Sequence, residues 1–452
     1  MTPNHIPPVN LWPDPESLGP VTDLYQLTMM AGYHASGLTE ARATFEMFVR
    51  RLPKGRAYLI FAGLEQAIGD LLRLRFSDGQ IAAIRAMPAF STVDPAFFDY
   101  LGDVKFEGDV WAIPEGTVVF AGEPLIRIEA ALPQAQWVET FLLASMGYPT
   151  LVASKAARIV ESAAGRPVFD FGLRRGHGPH AGMLAARASY LAGCAGTSNV
   201  EAAIRLGIPC AGTMAHSWVQ AFPTEQEAFS TFARVFPNHS TLLVDTYDTP
   251  TGVRRAAAIE PAVQAIRIDS GDLLELGKTA RGILDGAGRP DTKIVGSGDL
   301  DEFGVATLVA AGAPYDAFGV GTEMITSRDA PALSLVYKLV ELNGEGRIKL
   351  STGKKTYPLG KQVYRRRDAD GNFSRDVVTK SDEPSDGEPL LVQVVRRGEL
   401  ASPLPSLEQI RKRCREQRAS IPPSLKGNDA LPVYPLEYSF ALEAEAERLG
   451  VK

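Results

Sequence analysis

Between about residues 167 and 323 short apolar runs recur, each closed by polar or glycine-rich residues and most of them followed by a helical stretch. They are PVFDFG, CAGTSN, IPCAGTMAH, TLLVDTY, AIRIDSGD, TKIVGSGD and YDAFGVGTE. Seven such runs alternating with helical spacing predict repeated β/α units with parallel strands rather than an antiparallel sandwich. A barrel or barrel-like sheet closes such a series. The flanks follow other periods. Residues 1–20 read as an extended arm, after which Asp23 and Gln26 predict a capping box. Leu24, Leu27, Thr28 and Ala31 form the inward stripe of a helix that ends near Gly37. Apolar runs around a Pro-Lys-Gly turn predict strands over 41–63, and 64–88 returns to helical spacing. β-branched residues with turn signals predict a small antiparallel sheet over 104–131, and a helix spans about 134–164. From about 335 the chain again reads as strands, turns and a basic segment that folds back on the N-terminal sheet. The resulting division is an N-terminal α+β domain over 1–135, a β/α barrel over 136–335, and a C-terminal segment over 336–452.

In a parallel barrel every strand ends on one face, where active sites are built. The ends of these segments are Phe171 and Arg174, Ser198, Thr213 and His216, Asp245 and Asp248, Arg267 and Asp269, Ser297 and Asp299, and Gly319, Gly321 and Thr322. Such groups converge although they are spread over about 150 residues of chain. A single histidine near an apolar run is by itself more often a core residue than a catalyst, but the company of His216 favours a functional reading.

Composition narrows the classes. With 452 residues, 45% of them hydrophobic, and a formal net charge of -6, the chain fits a soluble multidomain protein with no basic surplus for nucleic acid. No apolar run approaches a membrane span, and the opening residues lack the pattern of an export signal. Cys194, Cys210 and Cys414 lie far apart, which fits neither a disulfide framework nor a metal clamp and points to the cytoplasm.

The glycines of VGSGD and GVGTE serve either tight β/α turns or the close approach of backbone N–H groups to a phosphate; the pair together favours phosphate. Neither is a P-loop or dinucleotide-binding fingerprint. An arginine beside an acid at a strand end, as in IRIDSGD, either forks a carboxylate or phosphate or is a solvated charge. Phe171 is either core packing or a stacking face for a flat ring. The RKRCREQR segment reads as a solvated helix face.

TDLYQLTMMAGY, FGLRRGHGP, GTSNV, GTMAHSWVQAFP, VDTYDT, IRIDSGDL and FGVGTEM occur in the order found in the nicotinate phosphoribosyltransferase family, type II phosphoribosyltransferases, and the resemblance runs from about residue 20 to at least 400. It implies an irregular parallel β/α barrel joined to an α+β domain whose antiparallel sheet is built from the N- and C-terminal segments. It further implies formation of nicotinate mononucleotide and diphosphate from nicotinate and 5-phosphoribosyl 1-diphosphate, coupled to ATP through a phosphohistidine at His216, with Mg²⁺ assisting. By the same resemblance Tyr25, from the neighbouring subunit of a homodimer, and Phe171 sandwich the pyridine ring. Arg174 and Arg267 meet its carboxylate, with Thr213 beside the ring. Asp269 holds the ribose hydroxyls, and Gly298, Gly319, Gly321 and Thr322 cradle the 5′-phosphate. Asp245 stabilises the sugar cation or helps place the metal, and Arg50 is a candidate for the diphosphate.

Ser198 stands where the similar nicotinamide-using enzymes carry an aspartate. A carboxylate there repels nicotinate, whereas a hydroxyl donates to it, so nicotinate is the expected substrate. His180 departs from the family pattern, which has an acid after RRGHGP, and the HGPH pair with His177 lacks further metal ligands nearby. The nearest alternative is the nicotinamide-using enzyme, which Ser198 disfavours, and from another class comes a catalytically silent barrel that binds nucleotide or phosphate and acts as a sensor or scaffold. Retention of His216, Arg267 and Asp269 together disfavours the second.

Overall fold

The computed structural model describes residues 13, 16–350, 356–427 and 432–450. Most of the N-terminal arm read from the sequence lies outside them. Six of the seven apolar runs form one parallel sheet, in the order Gly196–Thr197, Val168–Asp170, Ala317–Val320, Lys293–Gly296, Ala265–Ile268 and Thr241–Leu243. The seventh run, 208–216, forms no strand. It touches the sheet through one parallel bridge between Thr197 and Cys210, so the described strands make an open, barrel-like sheet. Val168, Ile266, Ile268, Ile294 and Phe318 fill the core between this sheet and its helices.

A seven-stranded sheet unites the two ends of the chain. The strand Arg42–Val49 pairs antiparallel with Leu335–Leu342 on one side and with Pro124–Ala131 on the other, and Asp109–Ala112 pairs with Val392–Arg396. This is the antiparallel sheet of N- and C-terminal segments that the resemblance implies. Its core holds Phe45 stacked on Tyr337 at 4.9 Å and the buried Trp137. A four-stranded sheet centred on Lys361–Arg367 and Phe373–Lys380 completes the C-terminal region. No helix among the described residues is long and apolar enough to cross a membrane.

Two local expectations are corrected. The first helix, Leu24–Ala35, forms without a capping box, because the start of the next long helix takes both side chains. Thr140 donates to the Asp23 carboxylate at 2.8 Å, and Gln26 donates to Glu139 at 2.9 Å. The helix is therefore rotated: Gln26, Leu27, Met30 and Ala31 are buried, while Leu24 is 52% exposed.

The helix Glu139–Ser162 joins the halves. Its Thr150 and Ser154 hydroxyls accept from the backbone N–H groups of Ala62 and Ile60 at 3.2 and 2.9 Å, docking the N-terminal part along it. One turn on from Ser154, and beside it, Arg158 and Lys155 are buried. Lys155 pairs with Glu302 at 2.7 Å and with Asp329 at 3.0 Å; Arg158 reaches Glu302 at 3.0 Å, and Arg56 reaches Asp329 at 3.0 Å. Burial by itself raises the Asp329 carboxyl, but Arg56 and Lys155 outweigh it and hold the group at about 2, below its ordinary 3.8.

Removing one partner from a buried ionic cluster leaves uncompensated charge and costs about 3–5 kcal/mol. Glu302→Gln is therefore expected to lower the thermal unfolding temperature by several degrees; a variant that melts with the wild type would show that the cluster contributes nothing. Because the folded Asp329 carboxyl lies below its unfolded value, its stabilisation is full above that unfolded value and is lost as pH falls through about 2. Melting curves of wild type and Asp329→Asn should differ by a constant amount near neutrality and converge toward pH 2. A gap that persists unchanged into strong acid contradicts this.

Candidate active site

The parallel strands all point one way, so their C-terminal ends meet along one edge of the sheet, and two adjoining cavities open there. The larger, of about 640 Å³, is lined by Phe171, Arg174, Ser198, Thr213, His216, Arg267 and Asp269, with apolar and backbone neighbours. The smaller, of about 210 Å³, is lined by Arg175, Ser297, Gly298, Asp299, Gly319, Gly321 and Thr322 and shares Phe171, Arg174, Arg267 and Asp269 with the first. Most residues singled out in the sequence are thus brought together.

Arg267, near the end of the strand Ala265–Ile268, is held on three sides. Its Nε donates to Ser297 Oγ at 2.7 Å, one terminal nitrogen to Thr213 Oγ1 at 3.0 Å, and the other to Asp269 Oδ1 at 2.7 Å. The guanidinium carbon lies 5.3 Å from the centre of the Phe171 ring, within cation–π range. Asp245 lines neither cavity. Its Oδ2 instead accepts from the Asp269 backbone N–H at 3.0 Å and from Ser270 Oγ at 2.6 Å, fixing the turn after Arg267 from behind. Asp245 Oδ1 is buried and has no hydrogen-bond partner among the described residues. His216 opens a short helix, and its Nδ1 lies 3.1 Å from Thr246 Oγ1.

Two glycines have reasons of their own. A Cβ at Gly298, where φ is +98°, would stand 2.0 Å from the Asp269 carbonyl oxygen; one at Gly319 would stand 2.4 Å from the Phe171 ring. Glycine at 319 therefore lets the Phe171 ring lie against the neighbouring strand, and glycine at 298 lets the loop after Lys293–Gly296 cross close to Asp269.

The sequence reading passed over Asp170, which organises the wall beside Phe171. This buried carboxylate accepts from the Gly172 N–H at 2.9 Å and from Thr197 Oγ1 at 2.8 Å, while its backbone carbonyl accepts from the Ser198 N–H at 2.8 Å. Burial raises its carboxyl above the ordinary value more than the hydrogen bonds from Thr197 and Gly172 lower it. An acid inside the apolar run PVFDFG was the available signal.

Tyr25 and Arg50 line neither cavity. Tyr25 is 47% exposed on the first helix, and Arg50 follows the strand Arg42–Val49, with its backbone N–H bonded to the Ser334 carbonyl at 2.8 Å. His177 is likewise absent from both. His180 lines a separate cavity of about 490 Å³ beside the helix Pro179–Leu191. No group of three or more His, Cys, Asp or Glu among the described residues is placed to hold a metal ion.

Comparison with known proteins gives a consistent picture. Three family models match in succession: the nicotinate phosphoribosyltransferase N-terminal domain over residues 21–146, the nicotinate phosphoribosyltransferase family over 167–384, and the C-terminal domain over 383–444. The chain is 45% identical over 436 residues to nicotinate phosphoribosyltransferase pncB2 of Mycobacterium tuberculosis, covering 95% of this chain and 93% of the relative. It is 41% identical over 363 residues to the nicotinate phosphoribosyltransferase of Bacillus subtilis, covering 77% and 73%. The crystal structure of human nicotinic acid phosphoribosyltransferase superposes with a TM-score of 0.85 at 29% identity, over 95% of this chain and 100% of that one. With these matches spanning nearly its whole length, the chain belongs to the nicotinate phosphoribosyltransferase family.

Proposed function

We propose that this protein joins nicotinate to 5-phosphoribosyl 1-diphosphate, with ATP driving the reaction through a phosphohistidine at His216, in the cytoplasm. The observation that carries the reading is the pair of joined cavities. One offers an aromatic face and two arginines to a flat acid, the other offers glycine-ended turns to a phosphate, and Asp269 stands where they meet. The pyridine nitrogen attacks ribose C1 and forms the C–N bond as the bond from C1 to the diphosphate oxygen breaks. Positive charge passes to the pyridinium and the diphosphate leaves. Positioning between Phe171 and a partner's aromatic ring, with Arg174 and Arg267 on the carboxylate, supplies much of the acceleration.

Thr246 engages His216 Nδ1, which makes Nε2 the ring nitrogen available to accept the γ-phosphoryl group of ATP as ADP departs. Water later returns the imidazole and releases phosphate. Asp245, which lines neither cavity, supports the site by fixing the turn that carries Asp269, and a Mg²⁺ ion would be held mainly by substrate oxygens. When bound, that ion neutralises charge on the leaving diphosphate.

A homodimer with shared sites supplies the aromatic ring missing from one side of the cavity. Leu24, Tyr25 and Met29 expose apolar surface on the first helix, as do Leu173 at the cavity wall and Val200 and Ile204 on the helix Val200–Leu206, which supports such a contact. The three free cysteines support the cytoplasmic setting.

Purified protein supplied with phosphoribosyl diphosphate and Mg²⁺ should convert nicotinate far faster than nicotinamide, and ATP should raise the rate. His216→Ala should lose the stimulation by ATP while keeping slow, ATP-independent turnover. Absence of product from either base would sink the proposal. Ser198→Asp places a carboxylate in the larger cavity, and like-charge repulsion should raise KM for nicotinate by about tenfold or more. An unchanged KM in steady-state assays would remove Ser198 from substrate selection.

A further inference from the structure

Ser297 follows the strand Lys293–Gly296 and is almost wholly buried, with 2% of its surface exposed. Its hydroxyl sits between two groups assigned to different substrates. It accepts from Arg267 Nε at 2.7 Å and donates to Asp269 Oδ1 at 2.5 Å; the Ile268 carbonyl, at 3.4 Å, is a weaker alternative acceptor. A serine hydroxyl can do both at once because it carries one proton and two lone pairs. We propose that Ser297 is a positioning residue that locks Arg267 and Asp269 into one rigid unit, so that the nicotinate carboxylate and the ribose are held in mutual register. The inference rests on the reaction proposed above.

The donor count makes the case sharper. Arginine has five N–H donors, and Ser297, Thr213 and Asp269 take three of those of Arg267, one on each nitrogen. One N–H is left on each terminal nitrogen, so two donors remain for a carboxylate. On the acid, Oδ1 is occupied by Arg267 and Ser297, whereas Oδ2 takes no hydrogen bond among the described residues and remains for a ribose hydroxyl. Without the serine hydroxyl, Nε loses its acceptor and Oδ1 one of its two donors. Both side chains then gain freedom to rotate, and the reacting nitrogen and C1 lose their shared frame.

Ser297→Ala should therefore raise KM for nicotinate and for phosphoribosyl diphosphate together and reduce kcat/KM by about tenfold or more. Ser297→Thr, which restores the hydroxyl, should recover most of the loss. The effect of Ser297→Ala should shrink in an Arg267→Lys background, because lysine has no fork for the serine to hold. Michaelis constants equal to wild type for both substrates in Ser297→Ala, whether or not its melting temperature falls, would overturn the positioning role. Inactivity of the wild-type protein toward nicotinate would instead overturn the assigned reaction, so the two failures are distinguishable.

Discussion

Burying three cations and an acid against one helix, with a second acid facing them from the rim, is the constraint on which the molecule turns. Arg56, Lys155, Arg158, Glu302 and the rim residue Asp329 come from four distant parts of the chain, and each of the four buried charges would be costly to bury alone. They can leave water only together, which obliges the N-terminal part, the helix Glu139–Ser162 and the parallel sheet to assemble in one arrangement. The cluster also reaches the site from behind. Glu302 stands three residues after Asp299, in the smaller cavity, and Arg56 donates to Ser327 at 2.7 Å, just beyond the helix Thr322–Ile325. Two loops of that cavity are thereby tied to the domain junction.

The same solution recurs in the C-terminal sheet. Arg365 is fully buried, bonded to Asp376 at 2.6 Å and to the Val118 carbonyl at 2.7 Å, and it faces Glu123 at 3.4 Å. Burial, and then the neighbouring Asp376, push the Glu123 carboxyl well above the usual range. Lys361, near the start of the same strand, pairs with Glu46 of the strand Arg42–Val49 at 2.8 Å. Buried pairs thus fasten the tail to the N-terminal sheet and to the strand beside it, in register with the antiparallel ladders. Charged side chains act here as fasteners between segments whose apolar faces alone would leave the register loosely specified.

This explains which parts of the structure are legible in the sequence. The β/α rhythm predicts the parallel sheet, and the rule that strands end on one face gathers Phe171, Arg174, Ser198, Thr213, His216, Arg267 and Asp269 without any knowledge of contacts. Long-range partners escape such reading. Lys155 and Arg158 have the spacing of a solvated helix face, and nothing near them announces Glu302. The run VYRRR reads as a basic segment, although strand alternation buries Arg365 between the less buried Tyr364 and Arg366. Gln26 looks like half of a capping box because the competing acceptor, Glu139, lies more than a hundred residues away. Tyr25 and Arg50 come from resemblance alone, and one chain does not bring them to the cavities.

The segment 208–216 illustrates how an incomplete strand can serve a site. It meets the sheet through two backbone hydrogen bonds with Thr197, from Thr197 N–H to the Pro209 carbonyl at 3.0 Å and from Ala211 N–H to the Thr197 carbonyl at 2.9 Å. Arg267, by contrast, lies in a strand paired on both sides, and Asp269 directly follows it. Displacing the segment that carries Thr213 and His216 therefore breaks fewer ladder bonds than displacing the strand that carries the arginine. Under the phosphorylation of His216 proposed above, a site that holds one substrate rigidly while adjusting to a change of charge at a histidine gains from this difference. The arginine is fixed by strand, serine and acid, and the histidine stands on the more loosely held element opposite it.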